Sequence, residues 1–548
     1  MSMNRHTEQE WQFAAQDLDT TRRWLAAQPH EVTERRCAPQ PTLTLQDTYY
    51  DSSDWMIFRA GFALRVRHAR EADVDSGATG EGGTEITLKS LHEAQQGLAT
   101  RVEMSERVEG GNIEEIMARA NGIGDRIREL VGSRALNPLF HVRTRRERQQ
   151  LLEADSELPL AEVDLDETSI ETPSGQGREL RRVEVECIHA DPAALSVWVE
   201  QMRTAAQLQP VEVSKFRTGL EVAGLEPSDP NSLGSTDISP TQSFADAQLA
   251  MLRRYFSAAF AREAEVRAGS AAAVHEMRVA ARHIDVLLRV FRGYGPGWAV
   301  HSRGRVRSLI KTLGAVRDCD VHIAFLDKTL AALEPEQRAA FGPVRARLVS
   351  LQTKARGRLL LALDSPPVQA LVREWRENLG AARPGSMRAQ RKLTAVAAPE
   401  LIRAQARALR KRARQLDEHS SPDAYHEVRI RAKRLRYTLD AFSSLYGDTA
   451  QDYIRALAKL QTVLGEYNDS KVREQRFTEL VARGPRLPPS TSFMVGRLVE
   501  RDAHAAEKLR NAFAKAYRRI RRRRWRELNA VMKRVAQGVV SPAGVVSA

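Results

Sequence analysis

Glu8-Gln9-Glu10-Trp11-Gln12-Phe13 opens the part of the chain whose reading decides the fold. At a period of two, Glu8, Glu10 and Gln12 fall on one face of an extended segment and Trp11 and Phe13 on the other, as in a half-buried strand. The alternation returns in Leu64-Arg65-Val66-Arg67, Ile86-Thr87-Leu88-Lys89, Glu162-Val163-Asp164-Leu165-Asp166 and Val183-Glu184-Val185-Glu186. A mostly antiparallel β domain is expected, with short helices near residues 17–28, 112–130 and 191–207.

Taken singly, each charged face is what any solvated strand carries. Taken together, the faces carry a pattern. Carboxylates recur two residues apart in Glu8 and Glu10, Asp164 and Asp166, and Glu184 and Glu186, which leaves the side chains of each pair roughly 6.6 Å apart on one face and able to converge on hard divalent cations. Other segments carry cations on that face: Arg65 with Arg67, Lys89, the cluster Arg143 to Arg148, and Lys215. In a closed barrel one wall would then suit metal and the other phosphate oxygens, with the apolar residues packing outward against helices.

Glu8-x-Glu10-x-Gln12-Phe13, Tyr49-Tyr50-Asp51, Arg59-Ala60-Gly61-x-Ala63-Leu64-Arg65-x-Arg67, Thr87-Leu88-Lys89, Arg101-x-Glu103, Arg143-Thr144-Arg145-Arg146, Val163-Asp164-x-Asp166, Glu184-x-Glu186 and Ser214-Lys215-Phe216 stand in that order. The set resembles a CYTH, or triphosphate tunnel, domain over residues 6–220. The resemblance implies an eight-stranded antiparallel tunnel barrel, Mg²⁺ or Mn²⁺ as cofactor, and hydrolysis or cyclisation of a triphosphate. It implies metal on Glu8, Glu10, Asp164, Glu184 and Glu186, phosphates on Arg65, Arg67, Lys89, Arg146 and Lys215, and catalysis dependent on Glu8, Glu10, Lys89, Glu184 and Glu186. The family's opening Glu-x-Glu-x-Lys is altered here, because Gln12 stands where the lysine belongs. That removes a fixed positive charge from the phosphate site.

Charge divides the chain. Residues 1–220 hold 26 Lys and Arg against 37 Asp and Glu, whereas the rest holds 58 against 33. A switch from −11 to +25 argues for two modules, the second facing a polyanion. The stretch 225–243, rich in Pro, Ser, Thr, Asn and Gly, reads as a linker. The expected division is 1–222, a linker over 223–243, and 244–548.

After residue 244 the period becomes 3.6 and the sequence repeats itself. His275-Glu276-Met277-Arg278-Val279 returns 151 residues later as His426-Glu427-Val428-Arg429-Ile430, and Leu313-Gly314-x-x-Arg317-Asp318 returns at the same offset as Leu464-Gly465-x-x-Asn468-Asp469. Two motifs sharing one offset indicate two copies of a helical unit. On a helix, His275, Arg278, Arg282 and Arg289 fall within an arc of about 60°, away from Met277, Ile284 and Leu287. The second copy places His426, Arg429, Lys433 and Arg436 together, and Arg303, Arg307 and Lys311 form a further basic ladder. A lone basic ladder is normally a solvated face, but the same stripe in both copies suits a groove of one sign gripping successive phosphates. The pattern resembles a CHAD domain over about residues 245–535, which implies two pseudo-symmetric four-helix bundles and binding of inorganic polyphosphate.

The chain start lacks a signal peptide's apolar region, no apolar run is long enough to span a bilayer, and Cys37, Cys187 and Cys319 have neither disulfide nor zinc spacing. A cytoplasmic protein is expected, with polyphosphate granules as a candidate location and no membrane partner. Gly-Lys-Ser/Thr, the end of a Walker loop, never occurs. The expected function is inorganic triphosphatase activity joined to a receptor for long-chain polyphosphate. The alternatives are a non-catalytic polyphosphate-binding protein, which Gln12 would suit, an adenylate-cyclase-type enzyme, and a nucleic-acid binder. Few aromatics interleave with the basic stripes, so no specific nucleic acid is expected.

Overall fold

The computed structural model describes residues 4–540 apart from 28–34, 73–82, 93, 154–156, 173–174, 176, 229, 383–384, 418–419, 483–485 and 522. It divides into two compact units, Met1–Pro230 with Arg267–Gly269, and Asn231–Val266 with Ser270–Ala548.

In the first unit eight strands, β1 (Asn4–Ala14), β2 (Arg35–Asp51), β3 (Phe62–Glu71), β4 (Thr84–Ser90), β5 (Leu98–Val108), β6 (Asn137–Glu153), β7 (Pro159–Glu171) and β8 (Gly177–Cys187), pair antiparallel in the order β5-β4-β3-β2-β6-β7-β8-β1. β1 also pairs with β5, from Asn4 opposite Ser105 to Trp11 opposite Leu98, so the sheet closes into a barrel. Closure leaves no free edge, and the pleat sends alternate residues into the lumen. Outside, Phe13, Val163, Leu165, Val183 and Val185 are buried together with Leu195, Trp198 and Met202 of the helix Pro192–Ala205. The expected helix over 112–130 is two helices, Ile113–Arg119 and Gly122–Val131, and that near 17–28 is Asp19–Ala26.

At one end of the barrel Tyr49, Phe140 and Phe216 pack with ring centroids 5.0 to 6.0 Å apart. Phe216 belongs to the helix Lys215–Val222, whose first turn is capped by the Ser214 hydroxyl accepting from the Arg217 amide. Gly219 lets that helix lie flat on Phe140, since a Cβ there would fall 2.1 Å from the ring. Gly219→Ala should therefore cost about 1–3 kcal/mol of stability through overpacking and displace Lys215 at the head of the helix, read as a lowered melting temperature together with weaker anion binding.

The second unit is helical throughout. Its helices correspond at the 151-residue offset: Phe244–Phe260 with Thr394–Ala413, α1 (Ala271–Val290) with α3 (Pro422–Ala441), α2 (Gly297–Leu330) with α4 (Gly447–Ala482), and Gly342–Asp364 with Pro489–Arg519. A further long helix follows in each half, Pro366–Gly380 and Arg523–Val540. The repeat read from two motifs thus extends over whole halves, which share one core containing Met277, Ile284 and Leu287 beside Val428, Leu435 and Leu439. Asn231 is fully buried and Leu233 and Ile238 pack on that core, so the helical unit takes in the later part of the Pro- and Ser-rich stretch. Among the described residues no helix is long and apolar enough to cross a membrane.

Candidate tunnel site and basic helical face

The barrel encloses a cavity of about 460 Å³ lined by Glu8, Glu10 and Gln12 of β1, Arg65 and Arg67 of β3, Lys89 of β4, Arg101 and Glu103 of β5, Arg146 of β6, Asp164 of β7, Glu184 and Glu186 of β8, and Lys215. Register explains the arrangement. Glu10 stands opposite Glu186 and Gln12 opposite Glu184, while Glu184 also faces Asp164. The consecutive strands β7, β8 and β1 therefore form an acidic wall, β5 borders it with Arg101 directly opposite Glu8, and β4 and β3 add Lys89, Arg65 and Arg67.

Two ionic clusters result. Lys89 Nζ lies 2.5 Å from Glu8, 3.2 Å from Glu10 and 3.7 Å from Glu103, and Arg101 also pairs with Glu10. Arg146 pairs with Asp164, with Asp166 at 2.7 Å and with Glu184 at 2.9 Å, and Lys215 reaches Asp166 at 2.5 Å and Glu184 at 2.9 Å. Arg146 is turned inward and Arg145 outward, the latter half exposed and paired with Glu147. Arg67 is less available than its position suggested, because it donates to both oxygens of buried Asp47 at 2.7 and 2.8 Å. Among the described residues Arg65 makes only a 3.5 Å hydrogen bond, to Thr87, and its Nε is buried without a partner.

The acids respond unequally. Burial raises Glu10, with Glu8 and Glu184 adding and Lys89 and Arg101 opposing. Burial and the charges of Glu8 and Glu10 push Glu186 up to about 8. Burial outweighs Arg146 at Asp164, which lies well above the usual carboxylate range and has an Oδ1 without a partner. At Glu184 the balance reverses, since Lys215 and Arg146 overcome burial and hold it well below that range.

These observations bear on a cation site. The five acids expected to form one metal set do not stand as a preformed cage: among the described residues no three acidic, His or Cys side chains are arranged to hold an ion. The ion pairs go with this, because Lys89 and Arg101 occupy Glu8 and Glu10, and Arg146 and Lys215 occupy Asp164 and Glu184, which leaves Glu186 without an ion pair among the described residues. The donor chemistry nevertheless fits a hard divalent ion, with crowded buried carboxylates whose charge is only partly met and an unpartnered Asp164 oxygen. Gln12 lies in the tunnel, its Nε2 donating to Glu10 at 2.6 Å and its Oε1 buried without a partner.

Three residues received no role from the sequence. Arg101 was part of a quoted motif, and Asp166, fully buried, is shared, like Glu184, by Arg146 and Lys215. Arg182 shares the inner face with Glu184 and Glu186, and the period-two rule applied one step further back along β8 would have found it.

On the helical unit the two copies match in detail. Arg278 lies over Gly314 with its Nε 3.6 Å from where a Cβ would stand, and Arg429 lies over Gly465 at 3.9 Å. Asp318 stands 3.7 Å from Arg278 and Asp469 3.4 Å from Arg429, and in both arginines Nε is buried without a partner. Arg282 and Lys433 follow one turn on, so α1 and α3 join their basic faces. Burial, then Arg429, Arg282 and Arg278, lower Lys433 to about 7. Burial, then Arg317 and Arg278, lower His275. The other expected contacts divide. Arg289, Arg307 and Lys311 are exposed, Arg303 is held by Asp285 at 2.8 Å, His426 bonds Asn468 at 2.6 Å, and Arg436 lies over the Tyr437 ring.

Comparison with known proteins places both halves. The CYTH domain model matches residues 28–220 and the CHAD domain model residues 250–478. Two uncharacterised Mycobacterium tuberculosis proteins, from two strains, are each 32% identical over 275 residues, covering 46% of this chain and 49% of theirs. The chain thus spans about half the length of these curated relatives. Among solved structures, the CHAD domain from the plant Ricinus communis is 24% identical with a TM-score of 0.45, covering 53% of this chain and 96% of that one. A putative adenylyl cyclase from Hippeastrum, described as having a dominant triphosphatase activity, is 17% identical with a TM-score of 0.29, covering 40% of this chain and 97% of that one.

Proposed function

Because this chain joins a CYTH domain to a CHAD domain, we propose that its tunnel hydrolyses inorganic triphosphate and that its basic helical face binds inorganic polyphosphate. The observation that carries the first part is the tunnel lining, in which acids of β7, β8 and β1 share one cavity with Arg65 of β3, Lys89 of β4, Arg146 of β6 and Lys215. Arg65, Lys89, Arg146 and Lys215 would receive phosphoryl oxygens, and Glu8, Glu10, Glu186, Asp164 and Glu184 would hold Mg²⁺ or Mn²⁺. Such an ion neutralises phosphate oxygens and lowers the pKa of an attacking water. The chain's own residues position and screen: entry of a polyanion draws Lys89 from Glu8 and Glu10, and Lys215 from Glu184, onto the substrate. The freed carboxylates would then be open to the divalent ion.

Purified protein is expected to release phosphate from tripolyphosphate faster than from ATP, and only with a divalent cation. The lining offers many charged groups, while its aromatics Tyr49, Phe58 and Phe216 are largely engaged with one another, which leaves little to hold a base. Equal rates in excess EDTA, or preference for ATP, would defeat this reading. Gln12 favours the second reading, a tunnel that binds without turnover; retained tripolyphosphate binding with no phosphate release would establish it.

For the helical face, the paired Arg-over-Gly arrangement supports a ligand without strand polarity. Both halves present the same Arg, Gly and Asp groups, and a pseudo-two-fold relation between them, which we infer from the repeat, would offer those groups in either direction. Polyphosphate reads alike from both ends, whereas a nucleic-acid strand does not.

A further inference from the structure

Arg182 is 4% exposed, yet it makes no ion pair among the described residues. Its Nη2 reaches only the Thr218 hydroxyl at 3.4 Å, and its Nη1 is buried without a partner. Strand register explains why. Arg182 stands between Asp166 on β7 and Ala14 on β1. Ala14 offers no side-chain acceptor, and both oxygens of Asp166 are already taken, Oδ1 by Arg146 at 2.8 Å and Oδ2 by Arg146 at 2.7 Å and Lys215 at 2.5 Å. A desolvated guanidinium with an unmet donor is costly unless an anion meets it. One rung away on the same inner face stands Gln12, opposite Glu184 and also carrying an unpartnered buried atom.

We propose that Arg182 is a substrate-binding cation of the tunnel, taking phosphoryl oxygens at the end marked by Gln12 and Lys215, and that it supplies the positive charge which neutral Gln12 does not. At this end three acids, Asp164, Asp166 and Glu184, face three cations, Arg146, Lys215 and Arg182. The first two cations are bound to the acids, so Arg182 is the one left to an incoming anion. Two residues from Glu184 on β8, Arg182 has the inward parity of Glu184 and Glu186; the cavity as it stands is lined by Glu184, Arg146 and Lys215 and not by Arg182, so an anion would meet its guanidinium only as Lys215 or Arg146 shifts. The same guanidinium would contact a polyanion whether the tunnel hydrolyses it or only holds it. The inference rests on the triphosphate reading of the tunnel.

The test is a swap of charge between the two strands. In the full chain with Mg²⁺, Arg182→Gln should raise KM for tripolyphosphate about tenfold or more, the loss of one charge-assisted contact, while Arg182→Lys retains most affinity. Adding Gln12→Lys to Arg182→Gln should restore much of the loss, because the new ammonium enters the same face one rung away. An unchanged KM in Arg182→Gln overturns the proposal. So does a loss accompanied by a lowered melting temperature that Gln12→Lys does not relieve, since that marks a structural role. If the wild type releases no phosphate, hydrolysis fails as a reading, and the same variants are compared by calorimetric binding of tripolyphosphate, where equal affinities of wild type and Arg182→Gln overturn the proposal.

Discussion

Glu10→Gln is expected to reduce phosphate release from tripolyphosphate by about two orders of magnitude or more, while leaving the fold at least as stable as the wild type. The first effect follows from removing an anionic oxygen donor at the centre of the acidic wall. The second follows from its surroundings. Burial, Glu8 and Glu184 hold Glu10 above the usual carboxylate range, so its ionised form costs folding energy that glutamine does not. Glu184→Gln should match the loss of turnover but differ in stability. Lys215 and Arg146 hold Glu184 well below the usual range, so it stabilises the fold above the unfolded carboxylate pKa, and that contribution fades as pH falls through the depressed value. Its removal leaves two buried cations sharing Asp164 and Asp166. Melting curves near pH 7 should therefore separate the variants, Glu184→Gln falling and Glu10→Gln holding. Full activity in both would remove the assignment of the acidic wall, and identical melting shifts would show that the two acids do not differ in charge environment.

How much of this was legible depended on what kind of information each feature needs. The inner faces of β1, β3, β4 and β8 could be read because a period of two survives in sequence and a closed barrel has one inside. The 151-residue repeat was equally plain, and the helices obey it from Phe244 to Val540. What alternation does not carry is partner choice. Arg67 faces inward as expected but is captured by Asp47, a residue on β2 whose register opposite Arg67 no local pattern reveals. The same holds for the acidic wall: the alternation puts Glu8, Glu10, Asp164 and Glu184 on it but does not reveal that Lys89 pairs with the first two and Arg146 with the last two. Arg303 was read as part of a free ladder, yet Asp285 on the neighbouring helix neutralises it. Arg182 was missed for the converse reason, since its significance lies in partners that others have already taken.

Replacing Arg278 and Arg282 with glutamine, or Arg429 and Lys433, is expected to weaken binding of long-chain polyphosphate roughly tenfold or more per charge at low salt, and by similar amounts from either half. Similarity follows from the matched geometry, each arginine lying over a glycine with an aspartate at 3.7 or 3.4 Å and an unmet Nε. Counterion release sets the salt dependence: each double variant should flatten the slope of log affinity against log salt by about 1.4 to 1.8. One member of the set adds a pH signature. In the unliganded groove Lys433 titrates at about 7, lowered by burial and by Arg429, Arg282 and Arg278, with Asp469 of α4 opposing. A lysine lowered on folding disfavours the folded state while it is charged, so the unliganded unit should gain stability as pH rises from 7 toward the unfolded lysine value. A polyanion reverses the preference and draws a proton onto Lys433. Affinity should then fall by up to about tenfold per pH unit above 7 and level off below about 6. His275 is also lowered, by burial and then by Arg317 and Arg278. Calorimetry of the full chain in EDTA, in buffers of differing ionisation heat, measures the uptake directly. Lys433→Arg should keep the affinity and lose both the uptake and the pH dependence. Affinity indifferent to salt and to both double substitutions would place the polyphosphate site elsewhere, whereas salt-dependent binding without proton uptake would leave the groove in place and remove Lys433 from its centre.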